Sequence, residues 1–273
     1  MSYDYSENIL VQESAGHLLE RELGWEVAFA YNTEKLGKDG TFGRTSYHEI
    51  LLTRYFRDAL RRLNPWLTPA QMDEAQKKME QRLSTASLIQ INEEKYDFIR
   101  NGIPVVVKRP GGRTEEKRAA IIDFQHPENN HFLAIKELKI HGDLYRRRTD
   151  IVGFVNGVPL LFVELKKNTV DVQDAYTNNY TDYLDTIPHL FYYNAFLILS
   201  NGVESKVGTL NSKYEFFHEW KRLDETEQGS VALETMLRGI CKKENFLDLL
   251  ENFILFDHSG GRTVKILARN HQY

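Results

Sequence analysis

The chain has one cysteine, Cys241, among its 273 residues. That excludes an internal disulfide framework and a thiolate-based zinc site, and a reducing, cytoplasmic setting is expected. No apolar run approaches the roughly 20 residues that cross a bilayer; the best, Val158–Leu165 and 194–200, are short. The opening MSYDYSENIL has no basic segment followed by an apolar one, so no secretory signal is expected. Basic charge is not in excess either. Lys plus Arg total 35 and Asp plus Glu total 39, a net charge of −4, whereas a wholesale polyanion binder is usually basic. Any contact with nucleic acid must therefore use local basic patches. The nine histidines show no metal-ligand spacing, and His126, His131 and His141 read as structural. A serine nucleophile elbow, a Gly-rich dinucleotide turn and a G-x-x-x-x-G-K-[ST] phosphate loop are all missing. What remains is an ordinary globular composition, 41% apolar and 27% charged, long enough for one large domain or two small ones.

The pattern along the chain is helix-rich first and β-rich later. Helical spacing covers 12–23 and ends at Gly24, before a strand-like run at 25–31. A glycine-bearing loop follows at 32–43, then a helix capped by Ser46 and running to Leu63. Thr68-Pro69 signals a further helix to about Leu83. The middle offers short β-rich runs at 104–108, 119–124 and 132–140, separated by turn-rich segments. Two strands, 150–155 and 159–165, flank Asn156-Gly157, a strong hairpin signal. A helix at 171–184 and a strand at 191–200 come next. Helices at 231–239 and 245–256 fill the last third, Gly260-Gly261 reads as a hinge, and 262–273 follows. This order predicts an α/β fold, a mixed central β-sheet flanked by helices with a helical C-terminal part.

The chemistry concentrates in 146–167, RRRTDIVGFVNGVPLLFVELKK. Period-two alternation puts Glu164 and Lys166 on one face of a strand and Leu165 on the other. The hairpin should bring Asp150 near Glu164, so two carboxylates and an ammonium meet at one end of the sheet. Two carboxylates plus a main-chain carbonyl suit Mg²⁺. The metal would neutralise a phosphate and acidify water, and a lysine would stabilise the transition state. The other reading of Glu164 and Lys166 is a solvated edge-strand pair, worth ~0–1 kcal/mol. The residues alone leave both open.

Asp150…Glu164-Leu-Lys166 resembles the PD-(D/E)xK nuclease signature. More specifically, the chain resembles the N-terminal nuclease domain of the R (restriction and motor) subunit of type I restriction enzymes. Glu13…Leu23-Gly24-Trp25 carries the resemblance, with Asn101-Gly102-Ile103-Pro104-Val105 and Ile122-Asp123-Phe124…Pro127-Glu128-Asn129-Asn130. So do the 148–166 block, Ile187-Pro188…Phe191…Asn194, Ser200-Asn201-Gly202 and Arg269-Asn-His-Gln-Tyr273. Each piece is weak; the ordered set is specific.

The resemblance implies an endonuclease domain at 1–260 and, at 261–273, the start of a linker into RecA-like helicase motor domains. Asp150 and Glu164 match the metal-binding carboxylates, Leu165 would lend its carbonyl, and Lys166 matches the catalytic lysine. Glu13 matches an acidic residue of the first helix, and reads equally as an ordinary exposed glutamate. The family's Q-x-x-x-Y is not reproduced: Gln173 has Thr177 four places on, and Asn179…Tyr183 has the spacing with asparagine for glutamine. Tyr183 is thus a candidate accessory residue, or part of a packing stripe with Tyr176 and Tyr180. Thr149 stands where the signature has proline. Gln272 resembles the glutamine that reads ATP adenine in the full-length subunit, or is a tail residue. Arg146, Arg147, Arg148 and Lys167 are candidate DNA contacts; the basic group at 108–118 is a weaker one.

The implied function is Mg²⁺-dependent cleavage of unmethylated foreign double-stranded DNA after ATP-driven translocation. The implied partners are the methyltransferase (M) and specificity (S) subunits, with no membrane. The alternative is a catalytically silent nuclease-like domain that docks the motor to those subunits. With no phosphate loop in the chain, a fragment of a longer polypeptide is expected.

Overall fold

The computed structural model describes residues 4–82, 85–109, 112–220 and 232–268. Helix α1 (Asp4–Arg21) leads into β1 (Glu26–Phe29), and α2 (Thr53–Leu63), α3 (Pro69–Glu80) and α4 (Leu88–Asn101) follow. A hairpin of β2 (Ile103–Lys108) and β3 (Thr114–Ala119) precedes β4 (Phe132–Lys136), β5 (Lys139–His141), β6 (Arg146–Arg148), β7 (Ile151–Val155) and β8 (Val158–Leu165). Then α5 (Val172–Asp174) passes through a π-helical turn, Ala175–Tyr180, into α6 (Thr181–Thr186). The chain continues as β9 (Phe196–Ser200), β10 (Ser205–Gly208), α7 (Ala232–Cys241), α8 (Lys243–Asn252), β11 (Ile254–Asp257) and β12 (Val264–Leu267).

Six strands form the central sheet in the order β1-β4-β7-β8-β9-β10. The β1–β4 and β8–β9 pairs are parallel and the other pairs antiparallel, so the sheet is mixed, as expected. Every residue of β7 and β8 is buried, so both faces are covered. On one face Trp25, Phe132 and Phe196 pack edge-on against Phe246 of α8 or against one another, with ring centroids 5.0–5.4 Å apart. On the other, Phe162 meets Tyr183 at 5.8 Å and Phe191 at 5.3 Å. Strand alternation sends Phe162 and Glu164 to the same side, so the face under α6 also carries the chemistry. The hairpin at Asn156-Gly157 forms as expected, with φ of 51° and 80°. No described helix is long and apolar enough to cross a membrane.

Several expectations need correction. The run at 119–124 ends as a strand at Ala119, and its remainder binds side-chain amides instead of a neighbouring strand. Asn64 accepts from Ala120 N at 2.8 Å, Asn130 accepts from Asp123 N at 2.9 Å, and Asn156 donates to Ile121 O at 2.8 Å. The 132–140 run breaks at Glu137, whose φ is 55°. The helix expected from Ser46 starts at Thr53, because the segment before it is held elsewhere: buried Arg44 donates to Glu49 O, and Leu52 N donates to Gly157 O. Helix α4 is absent from the expected elements, although Ser87 and Gln90 open it with a capping box that the sequence carries. The helix expected at 245–256 stops at Asn252. Gly260-Gly261 lies in the turn of the β11–β12 hairpin, so the C-terminal part is not wholly helical. Val231 and 269–273, with Gln272, lie outside the described residues.

Candidate active site

The β7–β8 hairpin sets the geometry. Ile151 pairs with Val163, which leaves Asp150 just before β7 facing the end of β8. The Leu165 N–H donates to Asp150 Oδ2 at 2.7 Å, so the first carboxylate is tied to the backbone between Glu164 and Lys166. Glu164 is 2% exposed. Its Oε1 lies 3.8 Å from Lys166 Nζ, and its Oε2 has no hydrogen-bond partner among the described residues. An orphaned buried carboxylate oxygen is costly unless something cationic completes it.

The electrostatics agree. Burial pushes Asp150 up to about 6, against the pull of the Leu165 N–H and Lys166. Burial also raises Glu164 well above its ordinary value, and the neighbouring Asp150 charge adds to it. Asp150 is raised by burial and by Glu137, and Glu164 by burial and by Asp150, so two carboxylates stand above their ordinary values even with Lys166 beside them, as in a functional site. Among the described residues no three His, Cys, Asp or Glu side chains are placed to hold a metal on their own. A cation here would thus be held by two carboxylates, a main-chain oxygen such as that of Leu165, and solvent, a donor set that Mg²⁺ accepts.

The helix opposite supplies the next layer. Lys166 Nζ donates to Asn179 Oδ1. The Asn179 amide lies beside Glu164 and the Tyr183 hydroxyl and favours the charged form of each. Tyr183 is buried and donates to Arg148 O at 3.2 Å. Asn179 therefore binds the lysine and lies beside the carboxylate. Tyr176 and Tyr180 lie elsewhere, in an aromatic cluster with Phe217.

Residues 4–216 match the family described as type I restriction enzyme R protein N terminus. The chain belongs to this family. It is 32% identical over 263 residues to the type I restriction enzyme HindI endonuclease subunit of Haemophilus influenzae, covering 93% of this chain and 24% of that protein. It is 27% identical over 257 residues to a Methanocaldococcus jannaschii protein with the provisional name type I restriction enzyme MjaIXP endonuclease subunit, covering 84% of this chain and 24% of that one. The chain thus spans about a quarter of the length of these relatives.

Other expected residues of this R-protein N-terminal region are placed less centrally. Glu13 does not join the two carboxylates. Its Oε1 lies 2.6 Å from Lys136 Nζ, on the strand beside Asp150. Arg147 is turned to α6, donating to both Asp182 oxygens at 2.6 and 2.8 Å. Arg148 lies 3.2 Å from Glu137 Oε2 and stacks over Tyr31, while Arg146 is exposed and Lys167 half-buried. Two residues of the site escaped the sequence reading. Gln12, 5% exposed, donates to Asp150 O at 3.1 Å, and Glu137 N donates to the same oxygen at 2.9 Å. Gln12 had a usable signal, a polar side chain beside Glu13 on an amphipathic helix. Glu137 had none, since its role comes from a left-handed backbone between two strands.

Proposed function

We propose that this chain is the DNA endonuclease part of a type I restriction R subunit, with Asp150, Glu164 and Lys166 as its catalytic residues and Mg²⁺ as its cofactor. The observation that carries this reading is the buried Glu164 carboxylate, one oxygen orphaned, between the raised Asp150 and Lys166. Asp150, Glu164 and the Leu165 carbonyl would hold Mg²⁺. The ion would supply Lewis-acid neutralisation of the scissile phosphate.

The chain's own groups do the rest. Asp150 is fixed by the Leu165 N–H, and its carbonyl is held by Gln12 and Glu137, so it needs little reorganisation on binding substrate. Asn179 orients the Lys166 ammonium beside Glu164, where it can donate to a phosphate oxygen as negative charge builds. Tyr183 ties this arrangement to the backbone at Arg148.

In the longer protein this part would act on unmethylated double-stranded DNA fed to it by ATP-driven motor domains. The methyltransferase and specificity subunits would be its partners. A silent docking domain was motivated by the asparagine at 179. That motive weakens, because Asn179 still binds the Lys166 ammonium and lies beside Glu164.

The test uses the full-length subunit. Asp150→Ala, Glu164→Ala and Lys166→Ala should each abolish cutting and leave ATP hydrolysis intact. Cutting retained in all three would refute the site.

A further inference from the structure

Beside the carboxylates, β5 and β6 form a two-stranded ribbon that sets Lys139 opposite Arg148 and His141 opposite Arg146. The ribbon, Tyr31 and Tyr47 line one groove. Its cations are already organised on aromatic rings. Arg148 sits 4.6 Å and Lys139 4.9 Å from the Tyr31 ring centre, and the His141 ring lies 4.8 Å from that of Tyr47. Such stacking fixes long side chains and lowers the entropy lost when they bind.

The groove is short of negative charge. Among the described residues, acids reach only Arg147, through Asp182, and Arg148, through Glu137. Lys139 donates to a neutral amide, Asn32 Oδ1, at 3.2 Å, and Arg146 is exposed. The local field acts on His141, which is held below its ordinary value by burial and then by Arg146, Arg44 and Lys139. In a chain of net charge −4, this is a concentrated basic patch. It ends at Arg148, two residues from Asp150 and so within about 7 Å of it along the backbone.

We propose that this groove is a backbone-binding track for duplex DNA, with Lys139 and Arg146 taking phosphates and Arg148 handing the strand on toward Asp150. It rests on the nuclease reading for its direction and adds Tyr31, Tyr47, Lys139 and His141 to it. Arg147, locked on Asp182, is a structural member of the ribbon and makes no contact with DNA.

The test is fluorescence anisotropy of a labelled duplex with this chain, without divalent metal, over a range of salt. The double variant Lys139→Ala/Arg146→Ala is compared with the parent and with Lys108→Ala/Lys117→Ala, two basic residues on the β2–β3 hairpin. Losing two phosphate contacts should flatten the slope of log K against log salt by about 1.8, and weaken binding roughly 60-fold at about 0.1 M salt. The control variant should keep the parent's slope, and all three should melt together. An unchanged slope in the first variant, an equal loss in the control, or no binding by the parent at low salt would overturn the track. Cleavage is scored separately with Mg²⁺, on the parent and on Asp150→Ala in the full-length subunit. A groove-dependent slope in a protein that does not cut would keep the track and remove the nuclease reading. Cutting with an unchanged slope would do the reverse.

Discussion

Replacing Asp150 by asparagine should make the metal-free protein more stable, even though it removes a residue of the proposed catalytic set. Asp150 is held at about 6 in the folded chain, against an ordinary 3.8. Between these values the folded state binds the proton more tightly than the unfolded chain does. Stability therefore falls as pH rises from about 4 to about 6, and stays lowered above that. At ~1.4 kcal/mol per pH unit the gap amounts to about 3 kcal/mol. Asparagine carries no charge and keeps an oxygen for the Leu165 N–H. It also relieves Glu164, which the Asp150 charge helps to raise. Asp150→Asn should thus melt higher at about pH 8, by up to roughly 6–12 °C for a domain of this size. At about pH 4 the difference should shrink to about 0.5 kcal/mol and the two melts should nearly coincide, since Asp150 is then neutral in the folded chain and only about half ionised in the unfolded one. Mg²⁺ at about pH 8 should raise the parent's Tm and leave the variant's nearly unchanged. Thermal melts at both pH values, with and without Mg²⁺, read all of this. A variant that melts at or below the parent at about pH 8, yet matches it at about pH 4, would refute the claim that the fold strains this carboxylate.

Two further substitutions probe the surroundings of the site. Asn179→Leu keeps the side-chain size but frees the Lys166 ammonium and removes the amide beside Glu164; cleavage by the full-length subunit should fall by about 10–100-fold, as for other lost outer-layer contacts, and parental rates would show that the amide is a bystander. Gly157→Ala puts a Cβ 2.5 Å from Leu52 O at a φ of 80°, and should cost about 2–4 kcal/mol of stability by denaturant melts. Gly112→Ala, at a φ of 77° with nothing within 4 Å, meets only the backbone penalty and should cost about 1 kcal/mol.

The parts of this molecule that sequence could show are those whose cause is local. Asn156-Gly157 specifies its own turn, and the turn sets the register that carries Asp150 to the Leu165 N–H. Thr68-Pro69 caps α3, with Gln71 completing a capping box. The parts that stayed hidden have causes far along the chain. Residues 120–124 read as strand because their apolar pattern suits one. What they bond to is Asn64, Asn130 and Asn156, whose side chains arrive from three other segments. Arg44, 1% exposed, holds the stretch before α2 out of helical form through Glu34 and Glu49. The site divides along the same line. Asp150, Glu164 and Lys166 share one hairpin, so spacing alone gathers them. Gln12 comes from the first helix, 138 residues away, and Glu137 contributes a main-chain N–H that no side-chain pattern encodes. Asn179 falls between these cases. Its spacing to Tyr183 was visible, but its meaning depends on the helix crossing β8 where Lys166 leaves the sheet. An asparagine is shorter than glutamine by one methylene, and it reaches Lys166 here from within the π-helical turn at Ala175–Tyr180. A motif scored by residue identity alone would discard this position. The geometry keeps it, because the Asn179 amide oxygen accepts from the Lys166 ammonium.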